Sequence, residues 1–220
     1  MAGLYVAFEG AEGCGKSTHA ARLAVALDAV LTRETGGTAI GRRLRDILHD
    51  NDVVDLDDRA EALIVAADRA QHLARVVRPA LLTGRAVVSD RSVYSTLAYQ
   101  GYGRGLDLAE LCRINDWASS GCWPALVVFL DAPATVLASR LAGRDLDRFE
   151  RAGDAFHERV IDGFHTMAAA DPDRWITVAA DGPHDVVAAE ISAAIAARTA
   201  DAGDRATPTH PAPPVRAVTR

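Results

Sequence analysis

The run Gly10-Ala11-Glu12-Gly13-Cys14-Gly15-Lys16-Ser17 constrains this chain more than any other part of it. It matches G-x-x-x-x-G-K-[ST]. It also sits between an apolar stretch rich in strand formers, Leu4 to Phe8, and a segment from Ser17 to Asp28 where Ala, Leu and Val recur at helical spacing. Strand, glycine loop and helix in that order make a cradle for phosphate groups. The glycines let successive backbone N–H groups turn inward, and the helix start adds partial positive charge. Gly10 to Thr18 is therefore the candidate segment for a nucleoside triphosphate, with Lys16 reaching its terminal phosphates and Ser17 offering a hydroxyl to Mg2+. Lys16 is the only lysine, the other basic residues all being arginine, and it stands where a compact ammonium serves better than a wide guanidinium fork.

Four more apolar runs of strand length follow: Val30 to Arg33, Ala86 to Ser89, Ala125 to Leu130 and Trp175 to Ala179. Helical patterns lie between them, at Ala39 to His49, Asp58 to about Leu82, Ser95 to Gln100, Asp107 to Ala118, Ala134 to Leu141, after the charged stretch 144–151 to about Ala170, and His184 to Arg198. On the long second-quarter helix, Leu63, Ala67, Ala70, Leu73, Val77 and Leu81 read as the buried stripe; on the helix before it, Ile40, Leu44 and Leu48 do. Strands alternating with helices predict an α/β fold: a five-stranded parallel sheet flanked by helices on both faces, spanning residues 1–200 as one domain. Residues 201–220, with their Pro/Ala-rich run, lack periodicity and read as a disordered tail.

A formal charge of -6 gives no basic field for nucleic acid or anionic lipid, so phosphate must be held locally. No apolar run approaches the length of a membrane span, and three cysteines without metal-ligand spacing suit a reducing compartment; the expectation is a cytoplasmic protein with no nucleic-acid or membrane partner. A GTP switch needs an N-K-x-D element, which a chain whose sole lysine is Lys16 lacks. Three other clusters carry chemistry. Thr32-Arg33-Glu34-Thr35-Gly36-Gly37-Thr38 is a glycine turn after the second strand. Asp68-Arg69-Ala70-Gln71-His72 lies on the long helix, where Asp68 and His72, taken alone, read as a solvated pair. Ser89-Asp90-Arg91-Ser92, followed by Ser95-Thr96-Leu97-Ala98-Tyr99-Gln100-Gly101, stands at the carboxyl end of a strand, where ligands bind in such sheets. There Asp90 is placed to hold Mg2+ through water and Arg91 to clamp a second phosphate.

With the phosphate loop, and with Leu146-Asp147-Arg148-Phe149-Glu150 further on, these clusters in this order resemble the bacterial thymidylate kinase family over about residues 3–198. The resemblance implies transfer of a phosphoryl group from MgATP to dTMP, in a P-loop fold that is usually a homodimer. It places Glu12 by the acceptor's deoxyribose, Arg69 on the thymine edge and Arg91 on the acceptor phosphate. Thr96, Tyr99 and Gln100 would line the acceptor pocket, and Asp90 would serve the metal. It also implies a mobile lid at about 140–152, with Arg140 near ATP and Arg144 and Arg148 as catalytic arginines, since the phosphate loop contains none. Two positions depart from the family pattern. Thr35 stands where proline is usual, and Val65 replaces a phenylalanine that stacks on thymine, keeping an apolar wall without the ring. Alternatives are a kinase for another nucleotide or a deoxynucleoside, or a catalytically weak nucleotide-binding regulator.

Overall fold

Both faces of the first strand are apolar, and the architecture follows from covering both. The computed structural model describes residues 3–143 and 145–202. Among them the strands β1 (Tyr5–Glu9), β2 (Val30–Arg33), β3 (Val87–Asp90), β4 (Leu126–Asp131) and β5 (Trp175–Ala179) form one sheet of order β2-β3-β1-β4-β5, every neighbouring pair parallel. β1 and β4 are central and buried almost throughout, as strands covered on two sides must be. β2 and β5 are edges and alternate between covered and exposed positions. These match the five runs read from sequence to within a residue or two.

The helices are α1 (Lys16–Ala26), α2 (Ala39–His49), α3 (Asp58–His72), α4 (Arg78–Leu82), α5 (Val93–Thr96), α6 (Leu108–Ser119), α7 (Ala134–Leu141), α8 (Asp154–Ala170) and α9 (His184–Ala202). π-helical segments Leu73–Val77 and Leu97–Gly103 continue α3 and α5. α9 thus takes in two residues read as tail, and the rest of that tail lies outside the described residues. On one face of the sheet, Val6, Phe8, Val128 and Val178 pack with Leu23 of α1 and Ile191 of α9. On the other, Val127, Phe129 and Trp175 meet Tyr94 of α5, Leu97 and Phe164 of α8. Asp57 caps α3 by accepting from the Arg59 and Ala60 backbone N–H groups, and Thr38 caps α2 through Gly41 N.

Two buried faces differ from the sequence reading. On α2, Leu48 is buried but Ile40 is exposed; on α3, Leu63 points outward while Glu61, Asp68, Arg69 and His72 are enclosed. The solvated-pair reading of Asp68 and His72 is therefore corrected. Asp68 Oδ1 accepts Gly36 N at 3.0 Å, and the His72 ring bridges Thr32 Oγ1 (2.6 Å) and Glu34 Oε1 (2.9 Å). Polar partners from the glycine turn, together with apolar packing at Ala62 and Val65, set which face of α3 turns inward. α2 reaches α3 closely because Gly41 has no side chain: a Cβ there would lie 2.1 Å from Asp68 Oδ1.

Candidate functional site

β1 and β3 end side by side, pairing Phe8 with Asp90, so the loop after β1 and the residues after β3 open onto the same cavity. The loop starts α1 through Gly15, whose φ of 96° lies in the left-handed region that glycine adopts without penalty. Lys16 is 6% exposed, and its Nζ donates to the carbonyls of Gly10 (3.0 Å) and Ala11 (2.7 Å). Cys14 is buried behind it, with Sγ 3.6 Å from Nζ. Gly13, Gly15, Lys16, Ser17 and Thr18 line a cavity of about 550 Å3. Arg140 of α7 closes over the loop, donating to Gly13 O at 3.3 Å.

Ser17 Oγ donates to Asp90 Oδ2 at 2.5 Å, so the hydroxyl and the carboxylate expected to hold a metal are already together. A hydroxyl and one carboxylate beside a phosphate cradle are hard oxygen donors that fit Mg2+, which keeps most of its water shell and accepts few protein ligands.

Arg91 is the hub of the wall beside the loop. Its φ of 73° is in the left-handed region, uncommon for a side-chain-bearing residue, and this aims the guanidinium back across the loop. One terminal nitrogen bonds Ser95 Oγ (3.0 Å) and Gly10 O (3.4 Å); the other pairs with Glu12 Oε1 and donates to Tyr99 Oη at 3.1 Å. The Tyr99 ring lies beneath the guanidinium, 4.9 Å from Cζ. Ser95 and Ser92 in turn donate to Glu9, a wholly buried carboxyl whose pKa burial raises. Burial alone would push the Glu12 carboxyl up as well, but Arg91 and then Lys16 outweigh it and hold it at about 2, against an ordinary 4.5.

Arg33 and Arg45 join Arg91 on the cavity wall. Arg45 is held to Thr35 by its side chain (3.3 Å to Oγ1), and its pKa is lowered by burial and by the positive charges of Arg33 and Arg91. Guanidinium groups concentrated in this way make a site for an anion. Arg45 was not singled out from sequence; its signal was its place on α2 after the glycine turn, facing the same side as Gly41 and Leu48. The wall continues through Val65, Arg69, Thr96, Tyr99 and Gln100. Arg69 is 2% exposed and anchored by Glu34 Oε2 (2.8 Å), Asn115 Oδ1 and Ser92 O (3.1 Å). The Glu34–Thr35 peptide in this turn is cis.

Of the lid residues, Arg140 reaches the cavity, Arg144 lies outside the described residues, and Arg148 points elsewhere: it donates to Leu48 O (2.9 Å) and Glu61 Oε2 (2.5 Å). Its neighbour Asp147 faces the cavity and pairs with His49 Nδ1 at 2.6 Å. Against the upward pull of burial, that contact and the backbone N–H groups of Glu150 and Phe149 hold the Asp147 carboxyl at about 2.

Glu12 and Asp147 both ionise more readily folded than unfolded, so each stabilises the fold fully above its ordinary pKa and ceases to do so as pH falls through about 2. The urea midpoint of the protein should therefore decline between about pH 4.5 and 2, and Glu12→Gln should flatten that decline without abolishing it. An unchanged slope in the variant contradicts the assignment.

The profile described as thymidylate kinase matches residues 8–191. A protein named thymidylate kinase from a Synechococcus strain is 44% identical over 193 residues, covering 86% of this chain and 92% of that relative. Another so named, from Solidesulfovibrio magneticus, is 44% identical over 198 residues, covering 84% and 95% respectively. The crystal structure of thymidylate kinase from Ehrlichia chaffeensis superposes with a TM-score of 0.74 at 27% identity, over 89% of this chain and 100% of that one. The phosphate loop, the order of the sheet and these likenesses over most of its length agree: the chain belongs to the thymidylate kinase family.

Proposed function

We propose that the protein transfers the terminal phosphoryl group of ATP to the 5′-phosphate of dTMP, producing dTDP and ADP, with Mg2+ held by Ser17 and Asp90. The observation that carries this reading is a single cavity lined both by the phosphate cradle and by Arg33, Arg45 and Arg91, with Arg91 reaching Glu12 of the cradle itself. Two anions must be brought together there, and the protein's task is to align them and neutralise their repulsion. An oxygen of the acceptor phosphate attacks the terminal phosphorus of ATP, and the bond from that phosphorus to the bridging oxygen of ADP breaks. The attacking oxygen is already anionic at neutral pH, so no general base is needed. Mg2+ supplies charge neutralisation across the donor phosphates. Lys16 exchanges its loop carbonyls for phosphate oxygens, Arg91 holds the acceptor phosphate, Arg140 closes the donor side, and Arg144 keeps the role of a catalytic arginine. Arg148 acts in this reading through the lid that it pins to α3.

Val65, Arg69, Thr96, Tyr99 and Gln100 surround the nucleoside. Tyr99 and Glu12, whose side chains meet at 3.4 Å, stand toward the sugar. Ile40 and Ile47 of α2 and Leu63 of α3 are exposed on neighbouring helices, which supports pairing with a second copy as a homodimer. No helix among the described residues is long and apolar enough to cross a membrane.

The test is ADP release with MgATP and a panel of dTMP, dUMP, dCMP, dGMP, AMP and thymidine. A clear preference for dTMP is expected. If no acceptor raises ADP release, the kinase reading falls and a nucleotide-binding regulator replaces it.

A further inference from the structure

Glu61 is wholly buried on α3, does not line the cavity, and yet draws in three side chains from other parts of the chain. Gln100 Nε2 donates to its Oε1 at 2.8 Å. Arg104 donates to both oxygens, Nε at 3.3 Å and a terminal nitrogen at 3.1 Å. Arg148 donates to Oε2. Glu61, Val65 and Arg69 are spaced by four, so one face of α3 carries this carboxylate, the apolar wall and the buried arginine in succession.

The contact with Gln100 fixes which way its amide points. An amide presents a donor at one end and an acceptor at the other, while a carboxylate flanked by two guanidinium groups only accepts. Glu61 therefore holds the Gln100 nitrogen, and the carbonyl oxygen is what Gln100 offers to the cavity that it lines. An oxygen in a nearly closed wall (Gln100 is 2% exposed) requires a donor from the ligand. Thymine has a single ring donor on its pairing edge, N3–H, whereas cytosine has an acceptor at N3.

We propose that Glu61 is a positioning residue that sets the pyrimidine selectivity of the pocket, by locking Gln100 with its oxygen toward the base so that a ring N–H is accepted and a bare ring nitrogen is refused. Its buried charge is met by Arg104 and Arg148, and Arg148 comes from the lid segment. The inference rests on the dTMP kinase reading.

The test is the ratio of kcat/KM for dTMP to that for dCMP in wild type and Glu61→Gln, each confirmed folded by circular dichroism. The amide that replaces the carboxylate can donate or accept, so Gln100 is free to turn over. The ratio should fall about tenfold or more, largely through KM, as expected when hydrogen-bond readout is lost. A purely structural role would depress both substrates together and leave the ratio unchanged, which overturns the proposal. Should the variant not fold, wild type is compared on dTMP and N3-methyl-dTMP. Rejection of the methylated nucleotide supports an acceptor oxygen at that position, and equal use overturns it. Wild type inactive on dTMP sinks the kinase reading itself, whereas an active wild type with an unchanged ratio in Glu61→Gln sinks only the role of Glu61.

Discussion

Replacing Lys16 with Met should lower turnover by about a thousand-fold or more while leaving the fold intact. The ammonium is a flexible cation inside the phosphate cradle, and among the described residues it is bound to the carbonyls of Gly10 and Ala11, with the thiol of Cys14 beside them. Those contacts are easily exchanged for phosphate oxygens, whose charge in the transition state is what the lysine is placed to meet. Methionine keeps the length and the apolar stem, so α1 and its packing through Leu23 should survive. The loss should appear in kcat more than in KM for dTMP, since Lys16 stands at the donor end. A variant that retains a tenth of wild-type kcat would refute this role.

The second large effect is at Arg91. Arg91→Ala should reduce kcat/KM for dTMP by roughly a hundred- to a thousand-fold, the range for truncating one partner of a buried charge pair. Two losses combine. The acceptor phosphate loses its clamp, and Glu12, held ionised chiefly by Arg91, loses its principal counter-charge beside the acceptor site. Arg91→Lys should rescue little, because one ammonium cannot reproduce the fan of bonds to Ser95, Gly10, Glu12 and Tyr99. Thermal stabilisation by MgATP should persist in Arg91→Ala while that by dTMP disappears. Equal loss of both would mean that the arginine supports the loop rather than the acceptor.

The sheet, the loop and most helix limits were legible in the sequence because each depends on local pattern: strand formers, glycine, helical spacing and capping residues. The inward face of α3 was not. An apolar stripe predicts burial only where the core offers apolar side chains alone, and around α3 it offers Glu34, Gly36, Thr32 and two arginines beside the apolar neighbours of Ala62 and Val65. Glu61 illustrates the limit. Its partners lie 39, 43 and 87 residues along the chain, and no window of sequence contains the reason for its burial. Arg45 escaped notice for a related cause, since its meeting with Arg33 and Arg91 depends on how closely Gly41 lets α2 approach α3. Arg148 was legible as part of a charged stretch, but not as a cation turned away from the cavity.

Lys16 carries one last implication. Amine-directed chemistry has a single side-chain address in this protein, and that address is tucked against the carbonyls of its own loop. An acylating reagent that shuns guanidinium groups will therefore report, by the mass of the peptide that carries Lys16, on the state of the phosphate cradle and on no other side-chain amine in the molecule.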